Sequence, residues 1–284
     1  MSGAAAAFAP PTVRDALDGA VTAIAAAGSD TARLDAELLL AAALGVPRER
    51  LHTNPEHPVT GAAARSFRDH VRRRAATREP VAYILATKPF RHIELAVDPR
   101  ALIPRPETEL LVESALGLPP GSSVLDVGTG CGAVALALAH ERPDLRVSAT
   151  DISSDALSLA RENATRLGLD VTLMQADLLD GVASGPWDAV LANLPYVPSD
   201  VIAGLEPEIS RHEPALALDG GPDGLVVLRR LIAQVAERKL PLLALEIGDG
   251  QAAAVRELLC AHGFATVSVH SDLAGTERVL EGRR

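Results

Sequence analysis

Residues Ser123-Val124-Leu125-Asp126-Val127-Gly128-Thr129-Gly130-Cys131-Gly132 join a predicted buried strand to a glycine-rich loop. The three glycines let the backbone approach a ligand without Cβ clashes. A loop that leaves the carboxyl end of a first parallel strand faces the usual ligand crevice of an open α/β sheet. This stretch therefore predicts a nucleotide-type cofactor site, and it also fits the dinucleotide-binding pattern.

The sequence around this loop alternates between predicted strands and helices, which indicates an α/β fold with a mostly parallel sheet covered on both faces. The predicted strands are 123–127, 146–150, 171–175, 187–192 and 242–247, and the predicted helices are 133–140, 154–167 and 224–238. A last helix over 251–262 precedes two strands, 266–270 and 278–281. We expect these two strands to form an antiparallel hairpin at the C-terminal edge of the sheet.

The N-terminal part predicts a small helical domain, residues 1–78, because its apolar residues recur at helical spacing. The first helix has its periodic apolar residues between positions 13 and 24 and is expected to end near Gly28. A second helix is expected to be N-capped by Asp30 and to close at Gly45, and a third covers 61–78. We expect this domain to recognise the substrate.

Residues 79–106 predict a hairpin linker between the helical domain and a catalytic domain over 107–284. Residues 90–97 alternate as in a strand, and nearby prolines break any helical pattern. The segment Ile103–Glu109 is either a lid that orders over the cofactor or a rigid start to the next helix.

The charge distribution disfavours a general nucleic-acid binder. The chain has 284 residues, 48% of them apolar, and a net charge of −10. Its first 78 residues hold ten arginines against eight acidic residues, a net of +2, so the remainder carries −12. Nucleic-acid binders normally present a basic face, and we therefore expect no direct nucleic-acid binding.

The sequence predicts a cytoplasmic protein. Residues 1–9 are of low complexity and lack a basic n-region, and no apolar run approaches the ~18 residues of a membrane span. The two cysteines, Cys131 and Cys260, are expected to be free thiols. No group of residues has metal-ligand spacing, so we expect no metal.

Three acidic residues stand at the ends of three successive strands and favour S-adenosylmethionine over NAD. Asp126 would repel a pyrophosphate but suits the ammonium group of a methionine moiety. Asp151 ends the second strand and is placed to accept from ribose hydroxyls. Asp177 follows the third strand, where a carboxylate reaches the adenine amino edge. The alternative is that each acid caps the next helix.

The turn Asn193-Leu194-Pro195-Tyr196 follows the fourth predicted strand. Such a turn presents a side-chain amide oxygen beside a backbone carbonyl, and two acceptors held in this way bind both hydrogens of a planar –NH2 group. Next to a cofactor loop, the turn suggests methylation of an amide or exocyclic amine nitrogen. Alternatively, Asn193 caps a turn, Pro195 ends a strand and Tyr196 belongs to the core.

Four motifs in order resemble the peptide chain release factor glutamine methyltransferases (the PrmC/HemK family), from about Pro80 to the end of the chain. These motifs are 103–109, 126–132, 193–196 and 213–224. The resemblance implies a class I methyltransferase sheet with S-adenosylmethionine as methyl donor. It also implies that the substrate is the glutamine in the Gly-Gly-Gln loop of a bacterial release factor, methylated on N5.

The resemblance also implies roles for particular residues. The cofactor would contact the loop and its neighbours, and Leu178 would line the adenine site beside Asp177. The cofactor-binding set is Asp126, Gly128, Thr129, Gly130, Cys131, Gly132, Asp151, Asp177, Leu178 and Asn193. The catalytic set that holds the glutamine side chain is Asn193, Leu194, Pro195 and Tyr196.

One position departs from the usual Asn-Pro-Pro-Tyr of the family, since Leu194 replaces the first proline. The acceptor there is a backbone carbonyl, which leucine supplies equally well, and Pro195 biases Leu194 towards an extended conformation. Without that proline, Asn193 is less restricted. Asn-Leu-Pro-Tyr is also similar to the turn of the ribosomal RNA adenine dimethyltransferases.

Four other functions are considered beside release factor methylation. A glutamine methyltransferase acting on a ribosomal protein would share these motifs. An adenine N6-methyltransferase would need a basic groove or an extra recognition domain. A non-catalytic cofactor-binding module would not need the full set of site residues, and a dehydrogenase would leave 193–196 without a task.

Arg65, Arg68 and Arg72 share one face of the third predicted helix. We expect this face to dock an acidic release factor, with ordinary solvated surface as the alternative. The chain is expected to act as a monomer.

Overall fold

The computed structural model describes residues 10–183 and 185–284. The chain forms two compact units, Met1–Leu85 and Ala86–Arg284. The low-complexity segment 1–9, predicted to precede the first helix, lies outside the described residues.

The first unit is helical. Its described helices are α1 (Val13–Ala26), α2 (Ala32–Leu44), α3 (Glu49–Thr53), α4 (Gly61–Thr77) and α5 (Val81–Leu85). The three long helices follow the predicted periodicity. Helices α3 and α5 were not predicted, because five residues are too few to display a 3.6-residue repeat.

The expected cap of α2 is wrong, because Thr31 rather than Asp30 precedes the first turn. The carboxylate of Asp35, buried in this turn, accepts hydrogen bonds from the hydroxyls of Ser29 (3.0 Å) and Thr31 (2.9 Å). It also accepts from Nε of Arg74 at 2.7 Å. The polar groups at the start of α2 therefore converge on Asp35, and Asp30 is exposed.

The second unit begins with a two-stranded hairpin, β1 (Thr87–Phe90) and β2 (Ile93–Ala96). The single strand predicted over 90–97 is wrong, because the chain turns after Phe90. Arg91 adopts a positive φ of 48° there, and its guanidinium hydrogen-bonds the carboxylate of Glu141.

The remainder of the second unit is a seven-stranded sheet with its helices. Its described strands are β3 (Ser123–Val127), β4 (Arg146–Asp151), β5 (Thr172–Gln175), β6 (Ala189–Ala192), β7 (Leu242–Glu246), β8 (Thr266–Ser271) and β9 (Glu277–Arg283). The described helices are α6 (Glu109–Leu116), α7 (Ala133–Glu141), α8 (Ser154–Leu167), α9 (Pro207–Ser210), α10 (Val226–Glu237) and α11 (Ala252–Ala261), with 3₁₀ turns at Pro106–Thr108, Ile202–Gly204 and Ala215–Ala217.

The strand order is β5-β4-β3-β6-β7-β9-β8. The first five strands are parallel, whereas β9 runs antiparallel to both β7 and β8. This confirms the predicted parallel sheet and its antiparallel C-terminal hairpin. The core strands β3, β6 and β7 are buried at every position, which explains their continuous apolar sequences.

The chain enters this sheet in the middle, at β3, moves outward to β5 and then crosses to β6 on the other side of β3. Ligands of open α/β sheets bind at the carboxyl ends of the strands where the order reverses in this way. Both the glycine loop after β3 and the Asn193 turn after β6 lie at that position. No helix in the described part of the chain combines the length and apolarity needed to cross a bilayer.

Candidate active site

One pocket opens at the carboxyl edge of β3, β4 and β6. Most of the predicted site residues line it, whereas Gly132 and Tyr196 do not. The predicted residues in its lining are Asp126, Gly128, Thr129, Gly130, Cys131, Asp151, Asp177, Leu178, Asn193, Leu194 and Pro195.

The glycine loop is held against β4. The N–H groups of Gly128 and Thr129 both donate to the carbonyl of Thr150, at 2.8 and 2.9 Å. Gly128 has φ +75°, and a Cβ at this position would come within 2.7 Å of the Leu194 side chain. The loop and the Asn193 turn thus meet at a point where only glycine fits.

Gly132 has a packing role in the structure. It precedes α7 with φ +89°, and a Cβ there would come within 2.8 Å of Leu136 and 3.4 Å of Ala160. Because α7 and α8 come this close to the loop, packing alone accounts for a glycine at position 132, and no ligand contact is needed to explain it.

The loop is also tied to the hairpin. The fully buried amide of Asn163 on α8 hydrogen-bonds both the N–H and the carbonyl of Ala96, at 2.7 and 3.0 Å. It donates as well to the carbonyl of Cys131 at 2.9 Å. Burial raises the pKa of the Cys131 thiol to about 12, so this side chain presents a neutral surface to the pocket.

Asp126 is almost completely buried, with 2% of its surface exposed. Its Oδ2 accepts from the hydroxyl of Thr129 at 2.6 Å and from the N–H of Ala135 at 3.2 Å. Burial nevertheless raises the pKa of Asp126 to about 7. A cation that binds beside this carboxyl would favour its charged form.

Asp151 is oriented by the backbone, because Oδ2 accepts from the N–H of Gly130 and Oδ1 from the N–H of Ser153, both at 2.9 Å. Asp177 is held differently. Its Oδ2 accepts from the guanidinium of Arg230 on α10 at 2.8 Å, and Arg230 also lines the pocket.

The pocket is rich in carboxylates, and its arginines are already paired. Arg100 binds the carboxylates of Asp98 and Glu162, and Arg230 binds Asp177. The acidic side chains in the lining are Asp126, Asp151, Asp177 and Asp219. These carboxylate acceptors suit a cationic ligand with ribose hydroxyls better than a pyrophosphate, so the residues fit S-adenosylmethionine.

Asn193 is anchored through its amide nitrogen, which donates to the hydroxyl of Thr108 at 3.1 Å. This bond leaves the amide oxygen of Asn193 available to a ligand. Thr108 is buried and comes from the 3₁₀ turn that precedes α6. Thr108, which is 85 positions away in the sequence, therefore sets the orientation of the Asn193 side chain.

Tyr196 is held by the last residue of β7 and by the segment that follows this strand. Its hydroxyl donates to Oε1 of Glu246 at 3.3 Å, and its carbonyl accepts from the side-chain amide of Gln251 at 3.0 Å. The pKa of Tyr196 is raised by burial and by the neighbouring Glu246 charge. The ring also abuts Gly248, where a Cβ would come within 3.2 Å.

The segment Ile103–Glu109 is anchored in this structure. Glu213, whose side chain is 1% exposed, pairs with the guanidinium of Arg105 and accepts from the N–H of Ile103 at 3.3 Å. Pro104 and Pro214, which adjoin these partners, both line the pocket. An ion pair therefore connects two segments of the pocket wall.

Comparisons with known proteins agree with this geometry. The family model for the PrmC N-terminal domain matches residues 15–85, and the model for the methyltransferase small domain matches residues 106–205. The release factor glutamine methyltransferase of Moorella thermoacetica is 45% identical over 275 residues, which cover 94% of this chain and 96% of that protein. The chain belongs to the release factor glutamine methyltransferase family.

Other relatives in this family are similarly close. The Pseudomonas aeruginosa protein of the same name is 45% identical over 264 residues, covering 90% of this chain and 94% of its own. The Caulobacter vibrioides protein is 41% identical over 263 residues, covering 90% and 91%. The methyltransferase domain uses S-adenosylmethionine as its cofactor.

Solved structures support the fold. The hMettl16 catalytic domain in complex with a MAT2A 3′UTR hairpin has a TM-score of 0.57 at 15% identity, covering 82% of this chain and 84% of that chain. A methyltransferase from Pyrococcus furiosus has a TM-score of 0.51 at 19% identity, covering 66% and 87%.

Several residues of this release factor glutamine methyltransferase family member were missed by sequence reasoning. Thr108, Arg230 and Gln251 look like ordinary helix or loop residues in the sequence. Glu246 does carry a signal, because it is the only acidic residue in the apolar strand β7 and it stands at the carboxyl end of that strand. Asp126, Asp151 and Asp177 stand in equivalent places at the carboxyl ends of β3, β4 and β5.

Proposed function

We propose that this chain transfers a methyl group from S-adenosylmethionine to the side-chain amide nitrogen, N5, of the glutamine in the Gly-Gly-Gln loop of peptide chain release factors. The relatives carry the name of this activity. The observation that carries the proposal is the anchoring of the Asn193 amide nitrogen by Thr108 at 3.1 Å. This hydrogen bond leaves Oδ1 of Asn193 free to accept from an –NH2 group of the substrate, in a pocket whose residues fit S-adenosylmethionine.

The chemistry requires a poor nucleophile to be well oriented, because the lone pair of an amide nitrogen is delocalised into its carbonyl. S-adenosylmethionine supplies an electrophilic methyl group on a sulfonium. We assign Oδ1 of Asn193 and the carbonyl of Leu194 as acceptors for the two N–H groups of the glutamine. Acceptors in these places stabilise positive charge that develops on nitrogen and hold the nitrogen in line with the methyl group.

The net reaction forms an N–CH₃ bond and breaks the S–CH₃ bond, so S-adenosylhomocysteine leaves with the electron pair. One proton leaves the nitrogen. The alkylated amide nitrogen is acidic, so it needs no strong base to lose that proton. Pro195, which lines the pocket, is assigned to limiting the rotation of the substrate amide. Tyr196 lies outside the pocket lining, so the packing of its ring against the amide stays a prediction.

The same proposal assigns the cofactor-binding residues. Asp126 would bind the ammonium group, the Gly128–Gly132 loop the methionine moiety, and Asp151 the ribose hydroxyls. Asp177 and Leu178 would contact the adenine. The ion pair between Asp177 and Arg230 supports this placement, because it keeps the carboxylate at the edge of the pocket.

We assign substrate recognition to the N-terminal helices, with Arg65, Arg68 and Arg72 as the docking face for an acidic release factor. All three are exposed on α4. Arg72 also pairs with Asp69 at 2.6 Å on the same helix.

The decisive experiment is methyl transfer from labelled cofactor to purified release factor, run beside a release factor with its Gly-Gly-Gln glutamine changed to alanine. Label is expected in the first protein only. Asn193→Ala should reduce the rate at least a hundredfold, which is the usual scale for removing a transition-state hydrogen bond. Label in the altered release factor, in a ribosomal protein alone or in nucleic acid alone would contradict the proposal.

A further inference from the structure

Glu246 is a buried carboxylate beside the pocket to which the reaction as assigned gives no task. It ends the fully buried strand β7 and is 2% exposed. Its Oε1 accepts from the Tyr196 hydroxyl at 3.3 Å. Its Oε2 is buried and has no hydrogen-bond partner among the described residues. Burying a carboxylate without full hydrogen bonding is costly, and a leucine at this strand position would avoid that cost.

The charged and titratable groups around Glu246 come from three elements. Burial raises the pKa of Glu246 to about 7, while hydrogen bonding with Thr108 and Tyr196 lowers it. Glu107, in the 3₁₀ turn, raises the pKa through charge repulsion, and Arg278 on β9 lowers it. The carboxyl therefore changes its charge close to neutral pH.

Thr108 connects Glu246 to the active site. Its hydroxyl oxygen accepts from Nδ2 of Asn193, so its single proton must point to another acceptor. The Glu246 carboxyl is the anionic group beside it. We infer that this proton is directed at the unpaired Oε2 of Glu246, which would give the hydrogen bonds one direction, from Asn193 to Thr108 to Glu246.

From this arrangement, we propose that Glu246 is a positioning residue that sets the direction of the Asn193–Thr108 hydrogen bonds and fixes the hydroxyl of Tyr196. The inference rests on the proposed function, because it explains how Oδ1 of Asn193 stays turned towards the substrate amide. A carboxylate has only acceptors, so both hydroxyls must donate to it.

A side chain at position 246 that can donate as well as accept hydrogen bonds would no longer fix the direction of the Asn193–Thr108 hydrogen bonds. With Glu246→Gln, the new –NH2 group would donate to one of the two hydroxyls. If that hydroxyl belongs to Thr108, the proton of Thr108 must instead be donated to the Asn193 side chain. The Asn193 amide would then rotate so that its oxygen accepts this proton. Its –NH2 group would face the –NH2 group of the substrate, and the two donors would repel each other. Protonation of Glu246 itself has the same consequence, because a carboxylic acid donates one hydrogen bond.

The test compares Glu246→Gln with wild type on release factor, with both substrates saturating, from pH 5.5 to 9. In wild type, kcat is expected to fall tenfold per pH unit below about 7. In Glu246→Gln, kcat should be lower by about a hundredfold at pH 8, in line with a lost transition-state hydrogen bond. It should also be independent of pH in this range. The Kd for S-adenosylmethionine, measured by calorimetry, should change less than twofold.

Two further variants separate positioning from folding. Thr108→Val, which removes the hydroxyl at constant shape, should lose activity like Glu246→Gln, and Thr108→Ser should restore most of it. Glu281→Gln is the matched control, because Glu281 is a buried carboxylate on β9 that pairs with Arg283. It should leave kcat and its pH profile unchanged.

The outcomes are distinct. A Glu246→Gln variant with kcat within threefold of wild type and an unchanged pH profile would overturn the inference. So would an equal loss in Glu281→Gln, or a Thr108→Ser variant as inactive as Thr108→Val. If wild type itself does not methylate release factor, the proposed function fails instead.

Discussion

Asp126→Asn should stabilise the cofactor-free protein above neutral pH. In the folded chain the pKa of Asp126 lies at about 7, against an ordinary value of 3.8, because the carboxyl is buried. The folded state therefore binds a proton that the unfolded state has lost between these pH values. The resulting stability is fully present below pH 3.8 and is lost as the pH rises through 7.

The size of the effect follows from the shift. About three pKa units at 1.36 kcal/mol each give an upper limit of roughly 4 kcal/mol at pH 8. Asparagine keeps an acceptor for Thr129 and Ala135 and carries no charge, so the variant should avoid this loss.

The assay is urea unfolding of cofactor-free wild type and variant at pH 5 and pH 8. Only about two of these pKa units fall between pH 5 and pH 8, so the difference in unfolding free energy between the two proteins should shift in favour of Asp126→Asn by up to about 2.6 kcal/mol between these pH values. Asp200→Asn, at an exposed position, serves as the control and should not shift. If the difference in unfolding free energy between variant and wild type is the same at pH 5 and pH 8, ionisation of Asp126 does not destabilise the folded protein and the argument is refuted.

The remaining predictions concern the loop and the docking face. Gly128→Ala should destabilise the fold by at least 1–2 kcal/mol and weaken cofactor binding measured by calorimetry, because of its left-handed conformation and the clash with Leu194; normal affinity would contradict the contact. Reversal of Arg65, Arg68 and Arg72 to glutamate should raise the KM for release factor while leaving the cofactor Kd unchanged. Unaltered kcat/KM after the reversal would remove the docking proposal.

Much of the second unit was predictable from local pattern. Strand β3 and helix α8 have the predicted bounds, and the other core strands differ by two residues or fewer at each end. Long buried strands and amphipathic helices have strong periodicity, so their prediction depends little on tertiary context. Short elements such as α3, and the turn at Arg91 inside an alternating stretch, lack that signal.

The site was predictable only where chemistry and sheet topology coincide. Asp126 and Asp151 lie at the carboxyl ends of parallel strands and Asn193 directly follows one, and the carboxyl ends of neighbouring parallel strands meet at one edge of the sheet. Gly132 and Tyr196 were included because of their motifs, yet neither lines the pocket. Gly132 packs against α7, and Tyr196 is turned towards Glu246.

The amino-acid sequence by itself determined the succession of strands and helices along the chain, the cofactor loop and the acceptor turn, because these depend on periodicity and on residues adjacent in the chain. Only the tertiary structure decided which groups orient them. Thr108 and Glu246 are 138 positions apart, and the raised pKa of Asp126 and Glu246 arises from burial by elements distant in sequence. Hydrogen-bond direction and desolvation are properties of the packed three-dimensional surroundings, so a linear pattern does not contain them.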